Sequence, residues 1–215
     1  MKNLSVLFLV LIVACTSTKI TRRTALPKLV EGEGILLMRI GNVSETKQYK
    51  LFETAKQILS GTNQLKFLLE EEYDLIAKGI SREYLRSNHT PDSMVSRIAN
   101  SVNSRYVLYV EDLASEKGGG IGSYTPLELD EYNSHYYQGK ETNSASMIFR
   151  LVDTEDQLAE RTFQIHTTIG PLTIKEEDGG ETRFNMTSDL SAVTKAFEKG
   201  VKQLRKGVVK KNTDI

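Results

Sequence analysis

The sequence predicts an α/β (α+β) fold: a single three-layer-like domain with a mixed sheet of about four to five strands, flanked by helices and closed by a C-terminal amphipathic helix. Three features predict it. Short apolar runs rich in β-branched residues alternate with segments of helical periodicity, a polar turn joins two neighbouring strand-like runs, and the last apolar pattern is strongly helical. We expect the domain to cover residues 32–207 of the 215-residue chain, which is long enough to bury a real hydrophobic core.

The first predicted elements alternate between strand and helix. Residues 34–41 form a compact apolar run between glycines, typical of a central strand that is buried on both faces. Ser44 can cap a helix whose apolar residues recur at helical spacing until Gly61. Residues 64–69 then predict a second, short strand.

Two further helices and a strand follow. The acidic run 70–72 stands where the first turn of a helix is expected, and acids there complement the helix dipole, so we expect no catalytic carboxylate among them. Residues 90–92, Thr-Pro-Asp, have the pattern of a helix start, with a cap, a proline and an acid. Residues 105–113 are rich in β-branched and aromatic side chains and predict a strand.

The second half predicts a hairpin and a final helix. Residues 146–152 and 159–168 are predicted strands, and the polar turn between them favours antiparallel pairing. Residues 175–181 are expected to be a flexible turn, and residues 208–215 a polar tail. The last helix is predicted to end at Gly207, and its apolar stripe comprises Leu190, Val193, Ala196, Phe197, Val201 and Leu204.

A polar segment with an unusual number of tyrosines, residues 115–143, separates the two halves. Its glycine run, 118–122, lacks the following helix that a phosphate-binding loop needs, so we expect a mobile loop. Tyrosine offers a large, rigid, amphipathic contact surface at low entropic cost. We therefore predict a partner-binding role for the tyrosines of this segment, the alternative being that some fold back as a lid over the sheet edge. They are Tyr124, Tyr132, Tyr136 and Tyr137.

Residues 1–14 have the features of a secretory signal peptide. A short positive region with Lys2 precedes an apolar run that falls short of the roughly 20 residues needed to span a bilayer. Residues 12–15, Ile-Val-Ala-Cys, resemble the lipobox of bacterial lipoproteins. The resemblance implies cleavage before Cys15, a diacylglyceryl thioether on its sulfur and acylation of the new amino terminus, so that palmitate-type chains anchor the protein. The alternative is a cysteine buried in an uncleaved anchor or in a core strand.

The residue after the cysteine bears on the destination of the anchor. Gram-negative lipoproteins retained in the inner membrane usually carry Asp at this position, whereas Thr16 stands here. By resemblance to that sorting rule, we expect an outer-membrane anchor. No acidic run follows Cys15, which favours the periplasmic side over the cell surface. Residues 15–31 are predicted to form the lipidated terminus and a short polar tether.

Composition and charge narrow the class of protein. Lys plus Arg and Asp plus Glu each number 28, which gives a formal net charge of zero. A nucleic-acid-binding protein would show a basic surplus or stripe, so we expect no nucleic-acid partner. Because Cys15 is the single cysteine of the sequence, no intramolecular disulfide can form, and packing alone must hold the domain together.

Residue types that carry catalysis occur, but not in the patterns that the chemistry requires. The three histidines, His89, His135 and His166, are isolated in the sequence, and no HxxH or CxxC pair marks a zinc site. A G-x-S-x-G nucleophile elbow is also missing from the sequence. We therefore predict structural histidines, no metal, no cofactor and no enzymatic activity.

Two stretches resemble a known group of periplasmic proteins. Residues 98–110, IANSVNSRYVLYV, are similar to a helix-then-strand stretch with the pattern "IA...GA.YVL.G", and residues 149–154, FRLVDT, to a hairpin with the pattern "RLVD..TG". These patterns are typical of the α/β domain shared by the curli secretion-channel lipoprotein, the lipoprotein activators of penicillin-binding proteins and the amino-terminal domain of the Tol–Pal translocation protein. The sequence departs from them at Ser104-Arg105, where Gly-Ala is usual, and after Thr154, where no Gly follows. Members are mostly non-enzymatic, which the resemblance implies here too.

Together these features predict an outer-membrane-anchored periplasmic lipoprotein that acts without catalysis, as a protein-binding or envelope-assembly module with an envelope protein as its partner. Two alternatives stay open: a hydrolase-like enzyme with a site assembled from distant residues, and a subunit of a secretion-channel assembly. The second needs long amphipathic strands that cross the bilayer, and residues 115–143 are too polar and too interrupted by proline to supply a pair.

Overall fold

The computed structural model of the protein describes residues 16–23, 28–87, 90–127, 141–156 and 159–210. The described strands are β1 (Thr16–Arg23), β2 (Leu29–Val30), β3 (Ile35–Leu37), β4 (Leu65–Phe67), β5 (Tyr106–Glu116), β6 (Gly120–Tyr124), β7 (Asn143–Asp153), β8 (Ala159–Ile169), β9 (Leu172–Lys175), β10 (Glu181–Asn185) and β11 (Val208–Val209). The described helices are α1 (Glu45–Leu59), α2 (Leu68–Ala77), α3 (Arg82–Arg86), α4 (Asp92–Ser101) and α5 (Asp189–Lys206).

A central sheet of six strands organises the domain, in the order β1-β8-β7-β5-β3-β4. β3 is parallel to β4 and β5, whereas the pairs β5–β7, β7–β8 and β8–β1 are antiparallel. A small sheet, β6-β10-β9, and the parallel pair β2-β11 are attached to it. The predicted α/β class with a mixed sheet flanked by helices is confirmed, and the sheet has one strand more than the upper predicted number.

The burial of β3 explains why helices lie on both sides of the parallel half. Ile35, Leu36 and Leu37 are all fully buried, as predicted for an apolar central strand. Ile35 and Leu37 belong to the core shared with α1 and α5, whereas Leu36 belongs to the core shared with α2, α3 and α4. A strand without a polar face needs such cover on each side.

The larger core lies between the central sheet and the helices α1 and α5. Phe149 of β7 stacks on Phe163 of β8 with ring centroids 4.9 Å apart, and the ring of Phe197 in α5 lies 6.0 Å from that of Phe149. Gly200 lets α5 approach this stack closely, because a Cβ at this position would lie 2.1 Å from Cζ of Phe149. The predicted C-terminal amphipathic helix therefore covers this face of the sheet.

The segment predicted to be a tether differs from the prediction. Residues 16–23 form the edge strand β1, which is hydrogen-bonded to β8 with Thr16 opposite Ile169. β-Branched and polar residues mix along this segment, which suits an edge strand that buries little apolar surface. At the other terminus, Val208–Val209 pairs with Leu29–Val30. The ordered domain therefore includes parts of both the predicted tether and the predicted tail.

Part of the predicted loop 115–143 is also sheet. β5 continues to Glu116, and Gly120–Tyr124 forms β6 of the small sheet. Gly118 is required by a close approach of two chain segments, because a Cβ there would lie 2.3 Å from the carbonyl oxygen of Thr142. The glycine run 118–122, which was predicted to be a mobile loop, is therefore the start of β6 together with the tightly packed residues just before it. Residues 175–181, predicted to be a flexible turn, join β9 to β10 as a hairpin.

Candidate functional site

The described residues include one of the predicted partner-binding tyrosines. Tyr124 is the last residue of β6, whereas Tyr132, Tyr136 and Tyr137 lie outside the described residues, as does Cys15. The Tyr124 hydroxyl donates a hydrogen bond to Glu141, and the Arg183 guanidinium lies 5.6 Å from the centre of its ring. These contacts fix Tyr124 against its own sheet, and its role in partner binding stays a prediction.

The opposite side of the small sheet carries an apolar surface, which we call the outer face and define by Ile121, Leu172, Ile174 and Phe184. Phe184 of β10 lies opposite both Ile121 of β6 and Leu172 of β9. Ile174 is two residues beyond Leu172 and therefore points to the same side. Ile121 is 73% exposed and Ile174 is 51% exposed. Ile121 and Ile174 stand on the two edge strands with β10 between them, and together the four side chains form a candidate binding surface.

The hairpin turn beside the outer face is acidic. Glu176, Glu177 and Asp178 all lie in the turn between β9 and β10 and are exposed. Glu176 accepts a hydrogen bond of 2.5 Å from the Thr182 hydroxyl, and Asp178 accepts one of 2.9 Å from the backbone N–H of Gly180. The turn therefore presents negative charge at one rim of the outer face.

A network of buried polar side chains holds the end of the central sheet that we call the tip, defined by Thr16, Asn143, Ile169 and Met186. Asn143 and Thr16 each lie opposite Ile169 in the sheet. The Asn143 side-chain amide donates to the Thr187 carbonyl oxygen at 2.8 Å. The side-chain amide of Asn185 donates to the Ile169 carbonyl oxygen at 3.0 Å.

Met186 lies between Asn185 and Thr187, which this network holds at the end of the sheet. The Thr187 backbone N–H donates to Oδ1 of Asn185 at 3.0 Å, which closes a tight turn around Met186. Asn185 is buried, yet the Met186 side chain is 91% exposed. The tip therefore presents an apolar side chain on a well-fixed backbone.

The start of β1 is also fixed at the tip. Besides its pairing with Ile169, Thr16 accepts a hydrogen bond of 2.9 Å from Nζ of Lys195 in α5. Cys15 immediately precedes Thr16 in the chain. The residue predicted to carry the lipid is therefore bonded directly to the first residue of an ordered strand.

The other end of the central sheet, which we call the far end, holds an ion-pair cluster around Arg105. Arg105 donates to both carboxylate oxygens of Asp153, at 3.0 and 2.9 Å, and pairs with Glu155 at 2.9 Å. Burial opposes the ionisation of Asp153, but the hydrogen bond from Arg105 and that from the Glu155 backbone outweigh it, so the pKa of the Asp153 carboxyl is lowered. These residues line a cavity of about 430 Å³.

The two positions at which the sequence departs from the motifs that it resembles meet at the far end. They are Ser104-Arg105 and the position after Thr154. The Thr154 backbone N–H and hydroxyl both donate to the Arg105 carbonyl oxygen, at 3.0 and 2.7 Å. Ser104 is buried beside them. The two hydrogen bonds from Thr154 therefore join the turn after β7 to the residue before β5.

Glu72 has a role that the acidic run did not indicate. This carboxylate of α2 is buried and pairs with Arg39 at 2.6 Å, with Arg82 at 3.3 Å and with Arg86 at 3.7 Å. A helix-dipole role was predicted for the run. Glu70 and Glu71 stand in the first turn of α2, as predicted, whereas the ion pairs of Glu72 tie α2 to α3 and to Arg39, two residues after β3.

One of the three histidines of the sequence lies in the central sheet. Nδ1 of His166 in β8 lies 2.7 Å from the Ser146 hydroxyl of β7, as suits a structural histidine, and His89 and His135 lie outside the described residues. Within the described ranges, no group of three or more His, Cys, Asp and Glu side chains could hold a metal ion. No helix in those ranges is long and apolar enough to cross a bilayer.

Asp112 is a buried carboxylate at an irregularity of β5, where the register against β7 shifts. Its Oδ1 has no hydrogen-bond partner among the described residues. Burial raises the pKa of the Asp112 carboxyl above its ordinary value, and the hydrogen bonds from Ser115 and the Ala114 backbone only partly offset this effect. Folding therefore favours the protonated form of this group.

We expect Asp112→Asn to raise the free energy of unfolding at pH 7 by roughly 1 kcal/mol, because the amide removes a buried, incompletely satisfied charge. A raised folded-state pKa means that the wild type gains stability from this group as the pH falls through that pKa, until the unfolded value of about 3.9 is reached. The advantage of the variant should therefore shrink between pH 7 and pH 4. Urea unfolding at both pH values measures it, with exposed Glu116→Gln as the control. A variant less stable than the wild type at pH 7 would contradict the assignment.

Comparisons with known proteins give the following similarities. No protein-family model matches the sequence, and no curated protein matches it. Among solved structures, the chain is similar to the PelC dodecamer from Paraburkholderia phytofirmans, with 15% identity, a TM-score of 0.45 and coverage of 88% of this chain and 97% of that chain. It is also similar to lipoprotein GNA1162 from Neisseria meningitidis, with 15% identity, a TM-score of 0.37 and coverage of 63% of this chain and 81% of that chain. For the LpoB C-terminal domain from Escherichia coli, the identity is 14%, the TM-score is 0.37 and the coverage is 63% of this chain and 84% of that chain.

Proposed function

We propose that the protein is a lipid-anchored, non-catalytic module of the bacterial envelope that binds a partner protein on the outer face of the small sheet. The observation that carries the proposal is the exposure of Ile121 and Ile174 on one side of a hydrogen-bonded sheet. Apolar side chains that stay in water in the free protein gain free energy when a partner covers them.

The anchor in this proposal is Cys15. Its support is the lipobox-like run 12–15 that follows a signal-like segment, and Thr16 after the cysteine favours the outer membrane with the domain facing the periplasm. Several acyl chains, at about 0.8 kcal/mol for each buried methylene, hold a protein on a membrane where a single chain does not.

The chemistry of the outer face specifies the partner. An apolar centre requires an apolar patch on the partner, and the acidic turn with Glu176, Glu177 and Asp178 requires basic side chains at the matching rim. Charge complementarity at a rim increases the rate of association more than it increases affinity. We therefore expect an envelope protein with a basic rim beside an apolar patch, and binding that weakens as salt rises.

A crosslinking pull-down from the membrane fraction tests this function. We expect the double substitution Ile121→Asp and Ile174→Asp to remove the partner, because it places charge on the two most exposed side chains of the outer face. The control is Thr173→Asp, which adds one negative charge, against the two of the double variant, at an exposed position on the opposite side of the strand that carries Ile174. Both proteins should keep the circular dichroism spectrum of the wild type. Recovery of the same partner by the folded double variant and the wild type would refute the proposed surface.

A further inference from the structure

We infer that the lipid anchor fixes the orientation of the whole domain, with the tip resting on the bilayer, Met186 in contact with the lipid interface and the Arg105 end pointing away from the membrane. The inference rests on the proposed lipidation of Cys15. It adds a second contact, between the tip and a lipid surface, to the covalent one.

The first step is that the anchor residue, Cys15, directly precedes the first residue of the sheet, with no linker residues between them. Adjacent Cα atoms are about 3.8 Å apart, so the acylated residue would lie that close to Thr16. Thr16 is already paired with Ile169 and bonded to Lys195. A flexible tether of ten residues would instead let the ends separate by about 16–19 Å. The start of β1 therefore holds the tip at the membrane surface.

The second step is the side chain that the tip exposes. Met186 is 91% exposed, although the residues on both sides of it are hydrogen-bonded to the end of the sheet, Thr187 to Asn143 and Asn185 to Ile169. A flexible apolar thioether costs little to transfer from water into an acyl boundary. Its backbone is held at the end of the sheet where the acyl chains are attached. The bilayer is therefore the occupant that fits this side chain.

The third step is the separation of the two ends of the sheet. β8 runs from Ala159 at the far end to Ile169 at the tip, and an eleven-residue strand at about 3.3 Å per residue is roughly 33 Å long. Arg105, Asp153 and the turn after it lie at the far end of the same strands. An anchored tip therefore holds the ion-pair cluster well away from the lipid headgroups.

The small sheet shares the position of the tip. Three of its links to the rest of the domain lie at the tip: residues 117–119 follow the end of β5, residues 170–171 follow the end of β8, and residues 186–188 are held to Asn143 through Thr187. The outer face is therefore held near the membrane surface, where a partner that is itself bound to the membrane would meet it. Its acidic turn disfavours close approach to anionic lipids, so we expect the tip contact on zwitterionic bilayers.

Fluorescence quenching by lipid tests the orientation. The full-length lipoprotein is purified from membranes in detergent and reconstituted into vesicles of phosphatidylcholine that contain brominated phosphatidylcholine. Met186→Cys places a thiol-reactive fluorophore at the tip, and Asp156→Cys places the same fluorophore in the exposed turn at the far end. Cys15 itself would not react because its sulfur is a thioether. We expect brominated lipid to quench most of the fluorescence at position 186 and little of it at position 156.

A linker insertion supplies the matched control. Ten Gly/Ser residues inserted between Thr16 and Ser17 keep the residue after the cysteine but separate the anchor from the strand. The protein should remain on the vesicles while the quenching at position 186 falls toward the value at position 156. Equal quenching at the two positions in the protein without the insertion would overturn the inference, as would stronger quenching at position 156.

Failure of the proposed function would look different. A chain that carries no acyl groups and stays off the vesicles would refute the lipidation and the orientation together. An acylated, vesicle-bound protein that shows no difference between the positions would refute the orientation alone. Loss or retention of the protein partner in the pull-down has no bearing on the quenching at position 186, so the partner-binding proposal is judged separately.

Discussion

Replacing Cys15 with Ala is expected to abolish labelling by a palmitate analogue and to move the protein from the membrane fraction to the soluble fraction of the envelope. The thiol is the atom to which the diacylglyceryl group would be attached, and alanine offers no substitute for it. Because each buried methylene contributes about 0.8 kcal/mol to membrane binding, loss of all the chains should leave no stable attachment. Metabolic labelling followed by fractionation measures both effects.

A second substitution separates the attachment from its destination. Thr16→Asp keeps the acylated cysteine, so labelling should persist, but the resemblance to the lipoprotein sorting rule implies that the protein then stays in the inner membrane. Density-gradient separation of the two membranes reports the difference. Labelling of the Cys15→Ala protein, or a wild-type protein that is never labelled, would contradict the anchor.

Replacing Gly200 with Ala is expected to lower the free energy of unfolding, although the same change in an exposed helix would raise it. Alanine is favoured over glycine within a helix by about 1 kcal/mol. At this position, however, the new Cβ would lie 2.1 Å from Cζ of Phe149, whose ring is already stacked on Phe163 at 4.9 Å. Overpacking a core typically costs about 1–3 kcal/mol, so we expect the cost to exceed the gain.

Urea unfolding of the soluble Cys15→Ala protein, with and without Gly200→Ala, measures the difference. Lys199→Ala, at the exposed neighbouring position of α5, is the matched control and should stay close to the starting stability. Gly200→Ala should cost less when a smaller residue already replaces Phe149 than it costs in the presence of Phe149, because the smaller residue makes room for the methyl group. A gain in stability from Gly200→Ala alone would show that the contact is less tight than the distance indicates.

The fold was largely predictable where burial imposes a hydrophobic pattern. The run 34–41 contains β3, whose residues 35–37 are buried on both faces. A continuous apolar run of this kind can be recognised without knowing which strands pair with it. The stripe of α5 was recognisable because the helix covers one face of the sheet. The helix predicted at the acidic run 70–72 is α2, which ends at Ala77 because Gly79 adopts a φ of +79° and separates α2 from α3.

The edge strand and the small sheet were not predictable in the same way. β1 and β6 bury little apolar surface, so their sequences carry almost no periodic signal. Their pairing depends on the open edges of β8 and β10, which lie far away in the chain. A tether and a mobile loop were therefore predicted where the structure has strands.

The candidate surface illustrates a related limit. The composition of residues 115–143 indicated a contact surface, but composition does not determine which face of a strand points outward. Tyr124 lies against its own sheet, whereas Ile121, in the middle of the glycine run, is exposed. In the sequence, Ile121 could have been noticed as the single apolar residue within the glycine run 118–122. The ion pair between Arg105 and Asp153 joins residues 48 positions apart, a distance over which spacing gives no information.

The pairing of β1 with β8 also sets an order of events during maturation. Thr18 and Thr167, whose hydroxyls are hydrogen-bonded, are 149 positions apart, so the first strand can dock only after the chain through β8 has emerged. In the lipoprotein that we propose, a peptidase that cuts before Cys15 would have to hold the neighbouring residues in its own cleft, which is incompatible with their place in the sheet. Removal of the leader would therefore precede closure of the sheet edge, and the strand next to the acylated residue would be the last to join.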